Sequence, residues 1–438
     1  MIWTAVIVIC IMLTIGFSLG LHVATTLGLT ALVVGLTLVG PVWDFFGAIP
    51  WATTSSVTIA VVPLFVLMGE LMLRAGLTDD LYATLSRFMN KVPGGLLHTN
   101  ILSCTMFSAI SGSSLATATT IGSVALPVMK ERGYNERLAL GSIAAGGTLG
   151  ILIPPSLILI VYGLVAEVSI AKLYVATLLP GLLMVIFFML AIAVISKYSK
   201  TDSDAPAETY TLREKLSGLV DIIPVAALLT LIIGVIYGGV ATPTEAAAFG
   251  ATGAFLIALF KGRVSMAMLQ ETFLATSTTT AMLMFVLAAA FLLQFILGFV
   301  GLPRALSQWV LSFGLTQLQL ILMMCLVFIL LGMVLDSLPI VVAVVPIFLP
   351  LLEAQGIDLI WFGVLLVILI ELGLITPPIG MNIFVLQGVR RRLYGEDNCG
   401  TMTDIFLGVL PFVVAMLVVL GLVIAFPGFS LWAVEAMR

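Results

Sequence analysis

Residues 146–156 read GGTLGILIPPS, and residues 369–380 read LIELGLITPPIG. Each places two adjacent prolines inside an apolar run that is otherwise helix-like. Proline lacks the backbone N–H and clashes with the preceding turn, and it pushes the residue before it toward extended geometry. A Pro-Pro pair in such a run therefore frees carbonyl groups. In lipid those groups need an enclosed, polar or water-filled setting.

The two stretches are a matched pair. At a fixed offset of 223 residues, Pro127 meets Pro350, Gly133 meets Gly356, Gly150 meets Gly373, and Pro154 and Pro155 meet Pro377 and Pro378. GLTDDLYATLSRF (76–88) resembles GLPRALSQWVLSF (301–313), and LLPG (178–181) resembles VLPF (409–412). The extra residues fall in the loop RRRLYGEDNC. An ordered set of this kind marks an internal duplication.

Composition sets the class. The chain has 438 residues, 61% hydrophobic and 9% charged, against about 25% charged in soluble domains. Long apolar runs recur throughout, many exceeding the ~18 residues that signal a membrane span. The runs are continuous rather than short and alternating, which excludes an outer-membrane barrel. No basic stripe suited to nucleic acid is present. Four dispersed cysteines and two isolated histidines form no metal or disulfide pattern. The start, MIWTAVIVIC, has no basic flank and reads as a first membrane helix rather than a cleaved leader.

Spans are expected at 2–20, 22–40, 57–74, 137–166, 170–196, 218–238, 242–261, 265–300, 358–389 and 403–427. Segments 76–90 and 302–314 read as helices lying along the membrane surface, and 198–215 as a polar linker. Residues 92–129 and 316–352 are too long for one span: a straight helix would measure about 55 Å, against about 30 Å of hydrocarbon. Each carries a polar tip at its middle, ISGSSLAT and LGMVLDSLP. Both read as re-entrant helical hairpins.

Loop charge gives orientation. Loop 130–137, KERGYNER, is basic and its counterpart 353–358, EAQGID, is not. Residues 166–172 end in one Lys, whereas Arg390, Arg391 and Arg392 follow the second Pro-Pro segment. The basic loops alternate between halves, so the repeats are inverted and both termini face outward. The fold class expected is an all-α polytopic membrane protein of two inverted repeats with re-entrant hairpins and Pro-broken helices.

Inverted repeats with broken helices place substrate and coupling ions at the bilayer midplane of secondary transporters. Freed carbonyls suit a hard cation, and half-helix N-termini suit a carboxylate. The candidate substrate-binding residues are Ser111, Ser113, Ser114, Ser156, Asp336 and Asn382. The candidate sodium ligands are Ser111, Gly112, Gly147, Thr148, Gly150, Gly332, Asp336, Gly373 and Thr376. Ser337 and Gly380 adjoin these sets. Ser and Thr in membrane helices often bond their own backbone instead, and Asp336 also has the sequence position of a helix cap. A membrane-depth carboxylate is costly, which singles out Asp336 and, one turn before the second Pro-Pro, Glu371. Glu70 is less defined, and Glu245 reads as an N-terminal helix charge.

SGSSLATATTIGSVALPVMKERGY followed by GSIAAGGTLGILIPPSLILIVYG, and LGMVLDSLPIVVAVVPIFLPLL with LGLITPPIGMNIFVL, resemble the large membrane subunit of the TRAP (tripartite ATP-independent periplasmic) transporters. The resemblance covers essentially the whole chain. It implies an elevator-type, sodium-coupled importer of an organic acid in the bacterial inner membrane, with both termini periplasmic. Dicarboxylates, sialic acids, keto acids and ectoine-type solutes are all cargoes of that family. It implies two protein partners, a small four-helix membrane subunit and a periplasmic substrate-binding protein. With no extra helices at the N-terminus, the small subunit is expected on a separate chain. It also implies a moving transport part at 92–166 and 316–389, with 1–91, 167–315 and 390–438 as scaffold and connecting arms. The rival readings are a stand-alone sodium/anion carrier, a membrane enzyme and a channel. The enzyme lacks any catalytic cluster.

Overall fold

The computed structural model describes residues 2–40, 42–198 and 210–436, all helices and connections with no strand among them. Most of the polar linker expected at 198–215 lies outside the described residues. The first repeat opens with α1 (Ile2–Ser18), α2 (Val23–Val34), α3 (Trp43–Thr54) and α4 (Val61–Arg74), followed by the amphipathic α5 (Leu77–Met89). Next come the hairpin α6 (Gly95–Ser111) and α7 (Ser114–Glu131), the broken pair α8 (Glu136–Leu152) and α9 (Leu157–Val165), and α10 (Ile170–Tyr198). The second repeat has α11 (Leu212–Tyr237), α12 (Pro243–Phe260), α13 (Met266–Val300) and the amphipathic α14 (Leu302–Leu311). Its hairpin is α15 (Gln317–Gly332) and α16 (Ser337–Pro339), which continues through a wide turn into α17 (Val345–Ala354). The broken pair α18 (Leu359–Leu374) and α19 (Met381–Tyr394) follows, then α20 (Met402–Ala425) and α21 (Gly428–Glu435).

Each Pro-Pro breaks its helix as local chemistry requires. Ile153, before Pro154, is extended at φ −85°, ψ 121°, as expected for a residue preceding proline, and the two segments bend by 41°. The matched landmarks also share roles. Asn135 accepts from the N–H groups of Arg137 and Leu138 and caps α8. Asp358, at the same repeat position, accepts from Ile360 and Trp361 and caps α18. Gly133 and Gly356 both take positive φ, +70° and +65°, where a side chain would be strained.

The inversion is visible in how the broken pairs meet. Tyr162, near the end of α9, donates to Leu359 O at the start of α18, 2.6 Å away. Arg390, in the second half of α19, donates to Glu136 at the start of α8 at 2.8 Å. The end of each pair thus contacts the beginning of the other.

Two packed groups result. α2, α3 and α4 pack on α13, α4 on α12, and α1 on α2. The hairpins pack on the broken pairs to form the second group. The sequence reading sets α10 and α20, within 167–315 and 390–438, with the scaffold. Both helices pack against α8 and α18. Gly141 and Gly408 explain the α20 contact: a Cβ on Gly141 would overlap the Gly408 carbonyl. Small residues allow such close backbone approach. Phe188 of α10 and Phe412 of α20 then meet edge-on at 5.5 Å.

Among the described residues seven helices are long and apolar enough to cross a bilayer, and the α8–α9 pair, taken as one span, makes an eighth. α3 was not anticipated. None of its residues is buried, so no apolar stripe marks it.

Candidate functional site

The first hairpin turns at Gly112 and Ser113. Gly112 takes φ +58°, and a Cβ there would lie 3.2 Å from both Pro155 O and Leu157 N. The turn therefore sits directly on the first Pro-Pro break. Ser113 caps α7, accepting from the Ala116 N–H at 3.4 Å. Ser111 and Thr117 share a hydroxyl contact of 3.0 Å. Ser114 reaches across the repeats and donates to Asn382 Oδ1 at 2.7 Å, while Asn382 Nδ2 donates to Ala144 O at 3.2 Å.

The second hairpin turns at residues 333–336. Asp336 caps the helix after it, accepting from the Ser337 N–H at 2.7 Å and from its hydroxyl at 3.1 Å. The turn touches the second break through Gly380, whose N–H donates to Met333 O at 3.4 Å. A Cβ on Gly380 would lie 3.3 Å from both Leu374 O and Thr376 O. Two carbonyls freed by the break thus converge on space that only glycine leaves open.

Further glycines set each hairpin against its own broken helix. A Cβ on Gly150 would come within 2.7 Å of the Ser113 backbone, and one on Gly373 within 2.5 Å of the Gly332 backbone. A Cβ on Gly147 would come within 2.8 Å of Ala118 Cβ.

Both tips open into one cavity of about 340 Å³. Ser111, Gly112, Ser113 and Ser114 line it from the first hairpin, and Asp336 and Ser337 from the second. The remaining candidates, Gly147, Thr148, Gly150, Ser156, Gly332, Gly373, Thr376 and Asn382, lie behind the tips and do not line it. Three of their hydroxyls bond nearby backbone: Thr148 to Ala145 O, Ser156 to Ile151 O and Thr376 to Leu372 O. Glu371 is fully buried, and among the described residues no side chain pairs with its carboxyl oxygens. Glu245 takes the expected helix-end role, accepting from the Thr242 N–H at 2.8 Å, and does not line this cavity.

The opposite wall comes from α4 and α13, including Val66, Glu70, Thr279, Met282 and Leu283. Sequence reasoning missed the α13 contribution. Its signal was the polar run TSTTT (276–280) inside an apolar helix. Among the residues lining the cavity, Glu70 and Asp336 are charged and none is basic.

Inverted, Pro-broken helix pairs holding two polar hairpin tips against one cavity define a secondary membrane transporter. The chain belongs to the DctM family: the model of the tripartite ATP-independent periplasmic transporter DctM component matches residues 2–429. It is 33% identical to the C4-dicarboxylate TRAP transporter large permease protein DctM of Pseudomonas aeruginosa over 86% of each chain. It is 34% identical to the sialic acid TRAP transporter large permease protein SiaM of Vibrio cholerae over 85% of each. In fold it is similar to the Alcanivorax borkumensis YdaH transporter, with a TM-score of 0.64, 17% identity and 90% coverage of both chains. The chain is thus a large permease subunit of the TRAP type, a multi-span transport protein rather than an enzyme.

Proposed function

We propose that this permease carries an organic acid inward across the bacterial inner membrane, coupled to sodium, by an elevator movement of the hairpin group against the α4–α13 group. The observation that carries this reading is the charge inventory of the cavity. An organic anion buried without compensation is strongly disfavoured, and no basic side chain lines this cavity. Compensation then falls to helix N-termini at the tips and to a co-transported cation.

The residues present suit sodium, a hard cation. Carbonyl oxygens converge at Gly380, and Pro155 O stands beside Gly112. In this reading Ser111, Gly112, Gly147, Thr148 and Gly150 surround an ion at the first tip. Gly332, Asp336, Gly373 and Thr376 surround one at the second. Ser111, Ser113, Ser114, Ser156 and Asn382 form or support the anion side. The movement is supported by the two packed groups, whose contacts across the cavity are few, and by α5 and α14, which connect them.

The cavity runs beside Glu70 and Leu73, next to Arg74. With basic loops on the cytoplasmic side, that position supports the reading of an inward-facing arrangement with both termini in the periplasm. The names of the relatives support partnership with a small membrane subunit and a periplasmic binding protein.

The test is uptake into proteoliposomes holding this chain and its small partner, with the binding protein added or withheld and the sodium gradient imposed or collapsed. Uptake requiring both supports the proposal. Uptake without the binding protein supports the stand-alone carrier, and sodium-independent uptake removes the coupling ion.

A further inference from the structure

We infer that the cavity selects a small monoanion with a short apolar body, in preference to a dicarboxylate or a polyhydroxylated sugar acid. The inference rests on the proposed transport function and narrows its cargo.

The two tips are unequal as anion sites. At the first, the start of α7 is capped only by the neutral Ser113 hydroxyl, and Ser111 stands beside it. An incoming carboxylate meets hydroxyls and the positive end of an 18-residue helix with no negative side chain in the way. At the second, the position is already filled. The Asp336 carboxylate accepts both the backbone and the hydroxyl donor of Ser337. A second carboxylate arriving there would face a like charge. The structure therefore offers one anion position.

The rest of the wall offers little to a second polar group. Val62, Val66, Met282, Leu283 and Leu287 form an apolar surface facing the tips, and Phe107 of α6 adds to the apolar lining. The polar exceptions on the scaffold side are Thr279 and Glu70. Glu70 is itself acidic and pairs with Arg74 at 3.1 Å. A distal carboxylate would be desolvated against hydrocarbon or repelled by Glu70. On the scaffold wall the hydroxyls of a sugar acid would lose their water for a single threonine, Thr279. An apolar tail meets no such cost and gains by leaving water.

The test uses the full chain purified into lipid nanodiscs, without a binding protein, so that the preference measured belongs to the permease. Binding of 4-methyl-2-oxopentanoate, succinate and N-acetylneuraminate is measured by calorimetry in sodium chloride and in potassium chloride. The expected result is sodium-dependent binding of the oxo acid at least about tenfold tighter than of the other two, the scale of discrimination a few methylenes give in an apolar pocket. Val66→Thr and Leu283→Asn, which add polar groups to the wall, should each narrow that ratio severalfold. Succinate or N-acetylneuraminate binding as tightly as the oxo acid overturns the inference and leaves the transport reading standing. An unchanged ratio in folded variants also overturns it. Absence of sodium-dependent binding by all three acids overturns both.

Discussion

The two hairpin tips occupy matched positions in the duplicated chain, yet their chemistry has diverged. The first is neutral and its break is covered: Pro154 and Pro155 are buried, and Ser114 is tied to Asn382 in the other repeat. The second is acidic and its break is open: Pro377, Pro378 and Ile379 are exposed, and Asp336 accepts from Ser337 at the start of its own helix. Duplication thus supplied two frameworks, and side-chain replacement gave them different electrostatic roles. In the proposed mechanism the neutral tip faces the anion beside its own ion, and the acidic tip faces a cation without an anion. The same divergence runs behind the tips, where Thr148 in the first repeat stands at the position of Glu371 in the second.

The largest effect is expected where the two halves are still alike. Gly150 and Gly373 each let a broken helix touch a hairpin backbone. Gly150→Leu and Gly373→Leu would force the tip away from its break. Overpacking costs reach about 3 kcal/mol, roughly two factors of ten in a rate or population. Uptake in proteoliposomes should fall by that order in both variants. Loss in only one would show that the two contacts no longer serve equivalent functions.

Asp336→Asn and Ser113→Ala separate the tips. Hydrogen bonds to charged groups contribute about 1.5–3 kcal/mol, so apparent sodium affinity should weaken by roughly tenfold or more in Asp336→Asn. Ser113→Ala removes a neutral cap worth about 1 kcal/mol. It should weaken acid binding more than sodium binding. Equal sodium responses in the two variants would erase the proposed division of labour. Sodium titrations of uptake decide the first, and acid titrations at saturating sodium decide the second.

Much of this was legible in the sequence because it rests on residues with fixed backbone consequences. The Pro-Pro pairs, the overlong segments and the matched glycines gave the breaks, the hairpins and the duplication. Ser111, Ser113, Ser114 and Asp336 were readable as tip residues and do line one cavity. What was not legible depends on packing. Nothing in an apolar helix such as α20 states which helix it packs on; its close contact with α8 runs through a glycine pair, Gly141 and Gly408, far apart in sequence. The α13 wall was hidden for the same reason, since only the fold shows which face of TSTTT meets the tips. The hydroxyls of Thr148, Ser156 and Thr376 bond local carbonyls here, a pairing the sequence leaves open.

Asn382 tests whether the neutral tip depends on the other repeat. It is fully buried, accepts from Ser114 and donates to Ala144 O. Polar contacts between membrane helices average about 0.6 kcal/mol and reach about 1.7. Asn382→Ala should therefore lower stability by about 1 kcal/mol in thermal unfolding and raise the acid concentration needed for half-maximal uptake. Ser114→Ala in the same background should add almost nothing, because the pair is coupled. Additive losses would mean that the two side chains act separately.

The smallest effect concerns the two connecting helices, which differ as the tips do. α5 is held by ions: Lys261 bridges Asp80 at 2.8 Å and Asp221 at 2.7 Å, and Arg263 also reaches Asp80 at 2.8 Å. α14 is held by rings, with Trp309 meeting Trp3 at 6.3 Å and Phe313 at 5.0 Å. Burial works to raise the Asp80 carboxyl, but the hydrogen bonds and charges of Arg263 and Lys261 outweigh it and hold it below its ordinary 3.8. Burial likewise works to lower Lys261, and its carboxylate partners hold it above its ordinary 10.5. The Asp80 contribution is present above about pH 4 and lost as pH falls through its depressed value; the Lys261 contribution is present below about pH 10 and lost as pH rises through its raised value. Anchoring of α5 should be flat between those limits. Partly exposed ion pairs contribute about 1 kcal/mol or less, so Asp80→Asn should lower stability by no more than that and make it less sensitive to salt. Trp309→Leu should lower it by a similar amount with no change in salt dependence. A salt-insensitive loss in Asp80→Asn would show that α5, like α14, is held by packing rather than by charge.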